Sequence, residues 1–471
     1  MGGFLPGAIE MVGTIQGRQA MTSLKRASTI ALIMLVALSV CACAAPGTRS
    51  ASPPLEASAT PTTVPTLAPT AVTGNEEYRE VFEAVWSTID QTYFDPDFGG
   101  LDWGAIRDEY EPLIIAAKDD QALYKLLDQM IWELNVSHAG VWTADQWPSI
   151  EPVVFKSGEI GIDVRLLHDQ AVITRVEAGS PAEEAGLRPG FVIQRINGTS
   201  VEQIIADVQE HLSPPHNDRG RKDLLTRGLV GLIYGDPGTC VTLAYLDRED
   251  GAHEACVKRI QRPRALSMPG VPLPPFYLEF ESRRLESDIG YIRFNTFHPD
   301  LLPDMVEAVA ALQDAPGIII DLRGNPGGDP SVAEQMAAQF LRGQVLFGTV
   351  RNRSGVVAHA VTGKDAYAGP LVILIDASSY SASEWVASGM QAAGRAVIVG
   401  ERSPGGVTGM VVTILPNGGY LGFPVDQLLA PDGRVLEGYG VIPDIEATLD
   451  RASLLSGVDP QLRAAVEFIQ D

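Results

Sequence analysis

Three successive hydropathy patterns predict a mixed chain of several domains, part α/β and part β. A helical stripe comes first, then short alternating strands, then buried strands that alternate with helices. The stripe occupies residues 75–150, the alternating strands 151–265 and the α/β region 266–450, which leaves 451–471 as a C-terminal tail or helix. A chain of 471 residues with 45% apolar side chains has ample material for three cores.

Residues 1–43 fit export. Lys25 and Arg26 precede an uncharged run from Ala27 to Val40. Its continuous apolar part, Ile30 to Val40, falls well short of the roughly 20 residues that a membrane-spanning helix needs. Met21 opens this unit and is the expected start, with residues 1–20 then an artefact of start-site choice. The run ends in Cys41-Ala42-Cys43-Ala44-Ala45 and resembles a bacterial lipoprotein signal, in which a cysteine becomes the lipidated first residue. Cys43 suits lipidation better than Cys41, because Ala42 precedes it whereas the bulkier Val40 precedes Cys41. The expected location is the cell envelope, on the outer face of the cytoplasmic membrane, held by the lipid anchor only. Simple removal of the peptide, giving a secreted protein, is the other outcome; a single acyl chain binds a membrane weakly.

Residues 44–74 hold six prolines, seven threonines, no aromatic residue and only Arg49 and Glu56 as charges, which is the composition of an extended spacer. Beyond it, Tyr78, Phe82, Val85 and Ile89 recur at helical spacing, as do Leu123, Leu127, Met130 and Leu134. Asp102 is the expected N-cap of a helix that opens at Trp103. The stripe stops at Val136-Ser137-His138-Ala139-Gly140. A Ser-His pair at a helix exit carries little by itself, since the chain has seven histidines.

From residue 151 the pattern turns to strand alternation, in Ile160-Gly161-Ile162-Asp163-Val164, Ala171-Val172-Ile173 and Val192-Ile193-Gln194-Arg195-Ile196. Between the last two, Ser180 caps a short helix with Pro181 at its first position and Gly186 at its end. The run Gly179-Ser180-Pro181-Ala182-Glu183-Glu184-Ala185-Gly186-Leu187-Arg188-Pro189-Gly190, with Gly235-Asp236-Pro237-Gly238 later, resembles a PDZ domain of bacterial envelope proteases. Phe191 stands where that family usually has an aspartate, and residues 208–233 look like an insertion. The resemblance implies capture of extended C-terminal peptides, with Ile160, Gly161 and Ile162 lining the site. A PDZ fold that serves only as spacer or lid remains open. Cys240 and Cys256 are equidistant from Arg248 in a predicted hairpin turning at Arg248-Glu249-Asp250-Gly251, so with that register they face one another. In an oxidising compartment they would pair as a structural disulfide; two buried thiols are the alternative.

In the last region Ile289 to Phe294, Gly317 to Asp321 and Leu371 to Ile375 read as strands. The second runs into Leu322-Arg323-Gly324-Asn325-Pro326-Gly327-Gly328, and the third leads to Ser381-Ala382-Ser383-Glu384 and a helix. Ser381 and Glu384 fit a capping box, which leaves the glycine-rich loop unexplained. These two segments, with Gly394 to Glu401 and Gly440-Val441-Ile442-Pro443-Asp444, resemble the C-terminal processing peptidase family and its tricorn-like branch. The implied core is an α/β fold of the ClpP/crotonase-like type. In the processing-peptidase branch the base is a lysine 25 residues after the serine, but that count from Ser381 lands on Gly406, and no lysine follows Lys364. The tricorn-like branch uses a Ser-His pair after the helical domain and a glutamate before the Gly-Val-x-Pro-Asp motif, which Ser137-His138 and Glu437 match.

The resemblance thus implies Ser381 as nucleophile, His138 as general base, and Glu437 acting on His138 through Ser137. The oxyanion would be met by Ala382 N–H at a helix start and by Gly327 or Gly328 N–H from the loop. The implied partner is a peptide or unfolded protein, and the family allows a homo-oligomer. No cofactor or metal is implied: there is no His-Glu-x-x-His motif, and the histidines lack ligand spacing. The formal charge of −24, from 59 acidic and 35 basic side chains, argues against nucleic acid as a partner. A ligand-binding or peptide-binding lipoprotein without catalysis, built on the same fold, is the competing reading.

Overall fold

The computed structural model describes residues 74–144, 158–211, 217–262, 265–266 and 276–471. The signal stretch, Cys41, Cys43 and the spacer through Thr73 lie outside the described residues.

Helices α1 (Gly74–Thr92), α2 (Trp103–Ile115) and α3 (Asp120–Trp132) form the first layer. Asp102 caps α2 as expected, its carboxylate accepting Ala105 N–H at 2.9 Å. Phe82, Val85, Ile89, Leu123, Leu127 and Met130 are fully buried, and their cluster takes in Leu415, Leu421 and Phe423 from the far end of the chain. The short strand β1 (Gly140–Trp142) then pairs antiparallel with a later strand, Gly140 opposite Gly422. The exit of the helical layer is thereby fixed to the α/β region.

The PDZ domain is an antiparallel sheet in the order β2 (Ile162–Leu167), β3 (Gln170–Val176), β4 (Val192–Ile196), β5 (Cys240–Leu246) and β6 (Ala252–Lys258). Strand β2 lies at its edge. The short helix α4 (Pro181–Glu184) has Ser180 as its N-cap. Helices α5 (Val201–His211) and α6 (Asp218–Ile233) follow β4. Within the stretch 208–233, expected as an insertion, α6 packs on β2 and sends Leu225, Leu229 and Ile233 into the PDZ core. Its opposite face is polar because it too is covered, by the α/β region. The β5–β6 hairpin also corrects an expectation. Cys240 stands opposite Lys258 and Cys256 opposite Thr242, so the cysteines are diagonal neighbours. They are joined as a disulfide with Cα atoms 5.8 Å apart. The register is set by Asp247, whose carboxylate accepts Glu249 N–H at 2.8 Å and Gly251 N–H at 2.9 Å.

The α/β core is built on a sheet ordered β7 (Phe280–Arg284), β8 (Gly290–Phe294), β9 (Ile318–Asp321), β12 (Leu371–Ile375), β13 (Val397–Gly400) and β16 (Ile445–Glu446). All neighbours are parallel except β7 with β8. Helices α7 (Leu302–Ala311), α8 (Pro330–Ala337) and α9 (Ala382–Ala392) pack on one face. After α10 (Arg451–Leu455), α11 (Pro460–Gln470) covers the other face, with Ala465 fully buried against Val372, Leu374 and Val399. Residues 451–471 therefore complete the core. A second sheet joins β1, β15 (Tyr420–Leu429), β10 (Gln344–Asn352) and β11 (Gly355–Thr362), with β14 (Thr408–Ile414) also on β15.

Candidate active site

Ser381 sits where β12 passes into α9, with φ +55° and ψ −118°. A side chain other than glycine is strained there, and the surroundings must hold it. Two acceptors do so: Ser381 N–H donates to Gly406 O at 3.0 Å and to Glu384 Oε2 at 3.2 Å. Glu384 is fully buried and also accepts Ser403 Oγ–H at 2.6 Å, Gly405 N–H at 2.7 Å and Gly406 N–H at 2.8 Å. Burial raises its pKa to about 7 although these donors pull it down. One buried carboxyl thus ties the start of α9 to the loop 403–406.

His138 follows α3 at φ +57°, also in the left-handed region. Its ring lies against Tyr380, the residue before Ser381, with centroids 5.1 Å apart. Ser137 Oγ is 2.8 Å from His138 Nδ1 and 3.0 Å from Glu437 Oε2. Glu437 Oε1 accepts Ser137 N–H at 2.6 Å, and Oε2 accepts Val407 N–H at 2.8 Å. Thr408 Oγ1 donates to Ser137 O at 2.9 Å and lies 3.2 Å from Ser137 Oγ and 3.4 Å from His138 Nδ1.

The hydroxyl partners favour one imidazole tautomer. The Thr408 hydroxyl hydrogen goes to Ser137 O, and the Ser137 hydroxyl hydrogen goes to the Glu437 carboxylate. The remaining donor for the 2.8 Å contact between Ser137 Oγ and His138 Nδ1 is the ring N–H itself. Nε2 is then left with a lone pair. Burial, followed by the charge of Arg227, lowers the His138 pKa to about 4, so the ring is neutral at pH 7. Arg227 belongs to α6 of the PDZ domain and lies 5.3 Å from the Tyr380 ring centre. Two more α6 contacts reach the same place: Asn217 Nδ2 donates to Pro404 O and Gly438 O, and Arg219 Nε to Ser403 O.

The glycine loop after β9 comes directly beside Ser381. A Cβ on Gly327 would stand 2.7 Å from Ser381 Cβ, and one on Gly328 would stand 2.5 Å from Phe297 O. Of the two candidate donors, Gly327 N–H is already engaged by Asn325 Oδ1 at 2.9 Å. Gly328 N–H has no such partner among the described residues. Ala382 N–H, in the first turn of α9, has no intrahelical acceptor. Among the described residues, the N–H groups beside Ser381 without such an acceptor are those of Ala382 and Gly328.

The structure thus gathers Ser381, Ala382, Gly327 and Gly328 at one junction and links Ser137, His138 and Glu437 by hydrogen bonds. Ile160, Gly161 and Ile162 lie apart, buried in the PDZ domain. Glu384 was expected only as the capping-box partner of Ser381, and Thr408, Asn325 and Arg227 were not singled out. A threonine after Gly406-Val407 carries no local signal, and its contact with Ser137 spans 271 positions.

Comparison with known proteins agrees with this architecture. Peptidase family S41 matches residues 288–447, the tricorn protease C1 domain residues 75–131, and a PDZ domain residues 172–219. The chain is 24% identical to a carboxyl-terminal-processing protease of a Synechocystis species over 85% of this chain and 88% of that protein. It is likewise 24% identical to the putative tricorn protease homolog 2 of Streptomyces coelicolor, over 84% of this chain but 32% of that longer protein. Among solved structures, the photosystem II D1 C-terminal processing protease shares the fold at a TM-score of 0.53 and 20% identity, covering 85% of this chain and 98% of the other. Fold and site together define a serine-type peptidase. The chain carries a peptidase family S41 domain, a tricorn protease C1 domain and a PDZ domain, and is similar to carboxyl-terminal-processing proteases.

Proposed function

We propose that this protein is an exported serine endopeptidase, anchored by a lipid on Cys43, that cleaves peptides or unfolded proteins recognised through their C-termini by the PDZ domain. Ser381 Oγ attacks the scissile carbonyl while its proton passes to His138 Nε2. The new C–O bond turns the carbonyl into an oxyanion, which Ala382 N–H and Gly328 N–H receive. His138 then returns the proton to the leaving amine as the C–N bond breaks, and water releases the acyl group by the same steps in reverse. Glu437 stabilises the imidazolium through the Ser137 hydroxyl. The observation that carries this reading is the run of contacts from His138 Nδ1 through Ser137 Oγ to Glu437, which occupies Nδ1 and leaves Nε2 to act as the base.

The test is labelling by a phosphonate serine probe together with cleavage of an unstructured peptide. Label is expected on Ser381, and loss of cleavage in Ser381→Ala and His138→Ala. Undiminished cleavage in both would sink the mechanism, and a folded protein that takes no label would return the chain to the binding readings. The anchor is tested separately. Incorporation of labelled palmitate in a bacterial host should vanish in Cys43→Ala and persist in Cys41→Ala, and the reverse result moves the site to Cys41.

A further inference from the structure

The segment Glu159-Ile160-Gly161 stands immediately before the edge strand β2, which opens at Ile162 and is the place where an extended peptide would add to the PDZ sheet. In this mode the backbone N–H groups of the loop receive the carboxylate of the peptide's last residue. One of them is already in use. Gly161 N–H donates to Glu159 Oε2 at 2.5 Å. The other oxygen of the same carboxylate, Oε1, is 2.6 Å from Arg262 Nε. Glu159 is 3% exposed, so its head group is inside the loop rather than in solvent.

We propose that Glu159 is an internal occupant of the PDZ carboxylate site, a side-chain carboxylate standing where a substrate's C-terminal carboxylate would stand and having to be expelled by it. The inference rests on the reading that this PDZ domain takes C-termini. Glu159 sets one oxygen on a loop N–H, as a C-terminal carboxylate would in this mode, and the other against the charge of the Arg262 guanidinium.

Three observations support the exchange. Glu159 is held poorly, since burial raises its pKa to about 7 even with Arg262 and the Gly161 N–H pulling it down. Arg262 does not depend on Glu159 alone, because its guanidinium also donates to both oxygens of Glu177. It therefore stays in place when Glu159 swings out. An approach exists as well: Arg262 and Glu177 line a cavity of about 950 Å³ between the PDZ sheet and strands β7 and β8, and Asp163 and Arg165 of β2 line the same cavity. A peptide laid along β2 would bring its end to Arg262.

The consequence is a binding site with a built-in competitor. Removing the competitor strengthens binding only for ligands that carry the same group. The experiment uses the full chain in a Ser381→Ala background, so that the probe is not cut. Fluorescence anisotropy is read on a labelled octapeptide ending in Val, once with a free carboxylate and once as the amide. Glu159→Ala is expected to tighten the free-carboxylate peptide about tenfold or more and to leave the amide unchanged. Glu159→Gln keeps the side-chain volume and guards against a folding failure; it is expected to shift binding in the same direction by less, because its amide still offers Gly161 an acceptor. Equal affinity of Glu159→Ala, Glu159→Gln and the parent for the free carboxylate, still above the amide, overturns the internal occupant and leaves C-terminal recognition standing. No preference for the free carboxylate in any of the three, including no binding, overturns both.

Discussion

Glu437 holds Ser137 twice, its Oε1 taking the backbone N–H at 2.6 Å and its Oε2 the hydroxyl at 3.0 Å. A residue gripped at both ends cannot rotate its hydroxyl away from the neighbouring His138. The arrangement makes Ser137 a positioning residue whose loss uncouples the carboxylate from the ring. Ser137→Ala is expected to lower kcat/KM about 100-fold, Glu437→Gln about tenfold, and His138→Ala by 1,000-fold or more, on the scale of a lost general base. Gln retains one acceptor for Ser137, which is why it costs least. Steady-state kinetics on one peptide ranks the three, and a Glu437→Gln defect as large as that of His138→Ala would refute the relay.

Thr408 closes the group from the other side. Its hydroxyl, 2% exposed as a residue, donates to Ser137 O and approaches His138 Nδ1. Thr408→Val leaves that buried carbonyl without its donor, which costs about 1–3 kcal/mol. The expected result is a lower melting temperature and roughly tenfold lower kcat/KM. Thr408→Ser restores the hydroxyl and should recover most of both. A valine variant as active as the parent would remove Thr408 from the site.

The low pKa of His138 gives a pH signature. Its folded value, about 4, is below the ordinary histidine value, so as pH falls the unfolded chain takes up the proton first. Stability from this group is therefore present above about pH 6.5 and declines as pH falls toward 4. In the proposed mechanism activity is expected to follow the same direction, because only a neutral ring can accept the Ser381 proton. Burial is the larger cause of the shift, and the charge of Arg227 the smaller. Arg227→Met removes the smaller one, so the acid limb of kcat/KM should move to higher pH. A limb that stays in place would show that Arg227 exerts no field on the ring.

What the sequence revealed and what it hid divide along contact distance. The caps at Asp102 and Ser180 act over three residues, and their side-chain chemistry announces them. Ser137-His138 and Glu437 were legible only through the order of family motifs, since they are 300 positions apart. Helix α6 was not singled out in the sequence, where residues 208–233 stood only as an insertion relative to the family pattern, and its stripe of Arg219, Asp223 and Arg227 gave no sign of a partner. In the folded chain that stripe docks on loops 403–406 and 437–440 and on Tyr380. A polar face designed to meet another polar surface has no hydropathy signature. The β5–β6 register failed for a local reason, the Asp247 loop, which centres the hairpin one residue later than the cysteine spacing suggested.

The Cys240–Cys256 disulfide crosses neighbouring strands with a sequence separation of 16. A loop of that size is worth about 3 kcal/mol through restriction of the unfolded chain. The double variant Cys240→Ser, Cys256→Ser should lose about that much in denaturant unfolding, while the oxidised parent should resist. Both residues are exposed, so no core cavity complicates the comparison. Identical unfolding of parent and double variant would argue that the bridge does nothing for stability.

Asn325 offers the sharpest test of the proposed oxyanion geometry, because both ends of its side-chain amide are held by the protein's own backbone. Its Oδ1 holds Gly327 N–H at 2.9 Å, its Nδ2 donates to Phe294 O at 3.0 Å, and its carbonyl accepts Tyr380 N–H at 3.0 Å and Ser383 Oγ–H at 3.0 Å. One residue thereby spaces the glycine loop from the Ser381 junction. Asn325→Ala keeps the backbone carbonyl but frees Gly327 N–H, so Gly328 N–H loses its aim while the substrate-binding surfaces stay as they were. A donor present only for the developing oxyanion affects the transition state rather than the ground state. The expected outcome is a fall of about 100-fold in kcat with KM changed by less than about threefold, and the same Ser381 labelling site at a slower rate. A rise in KM with kcat preserved would instead place Asn325 in substrate binding and assign the oxyanion to a different pair of donors.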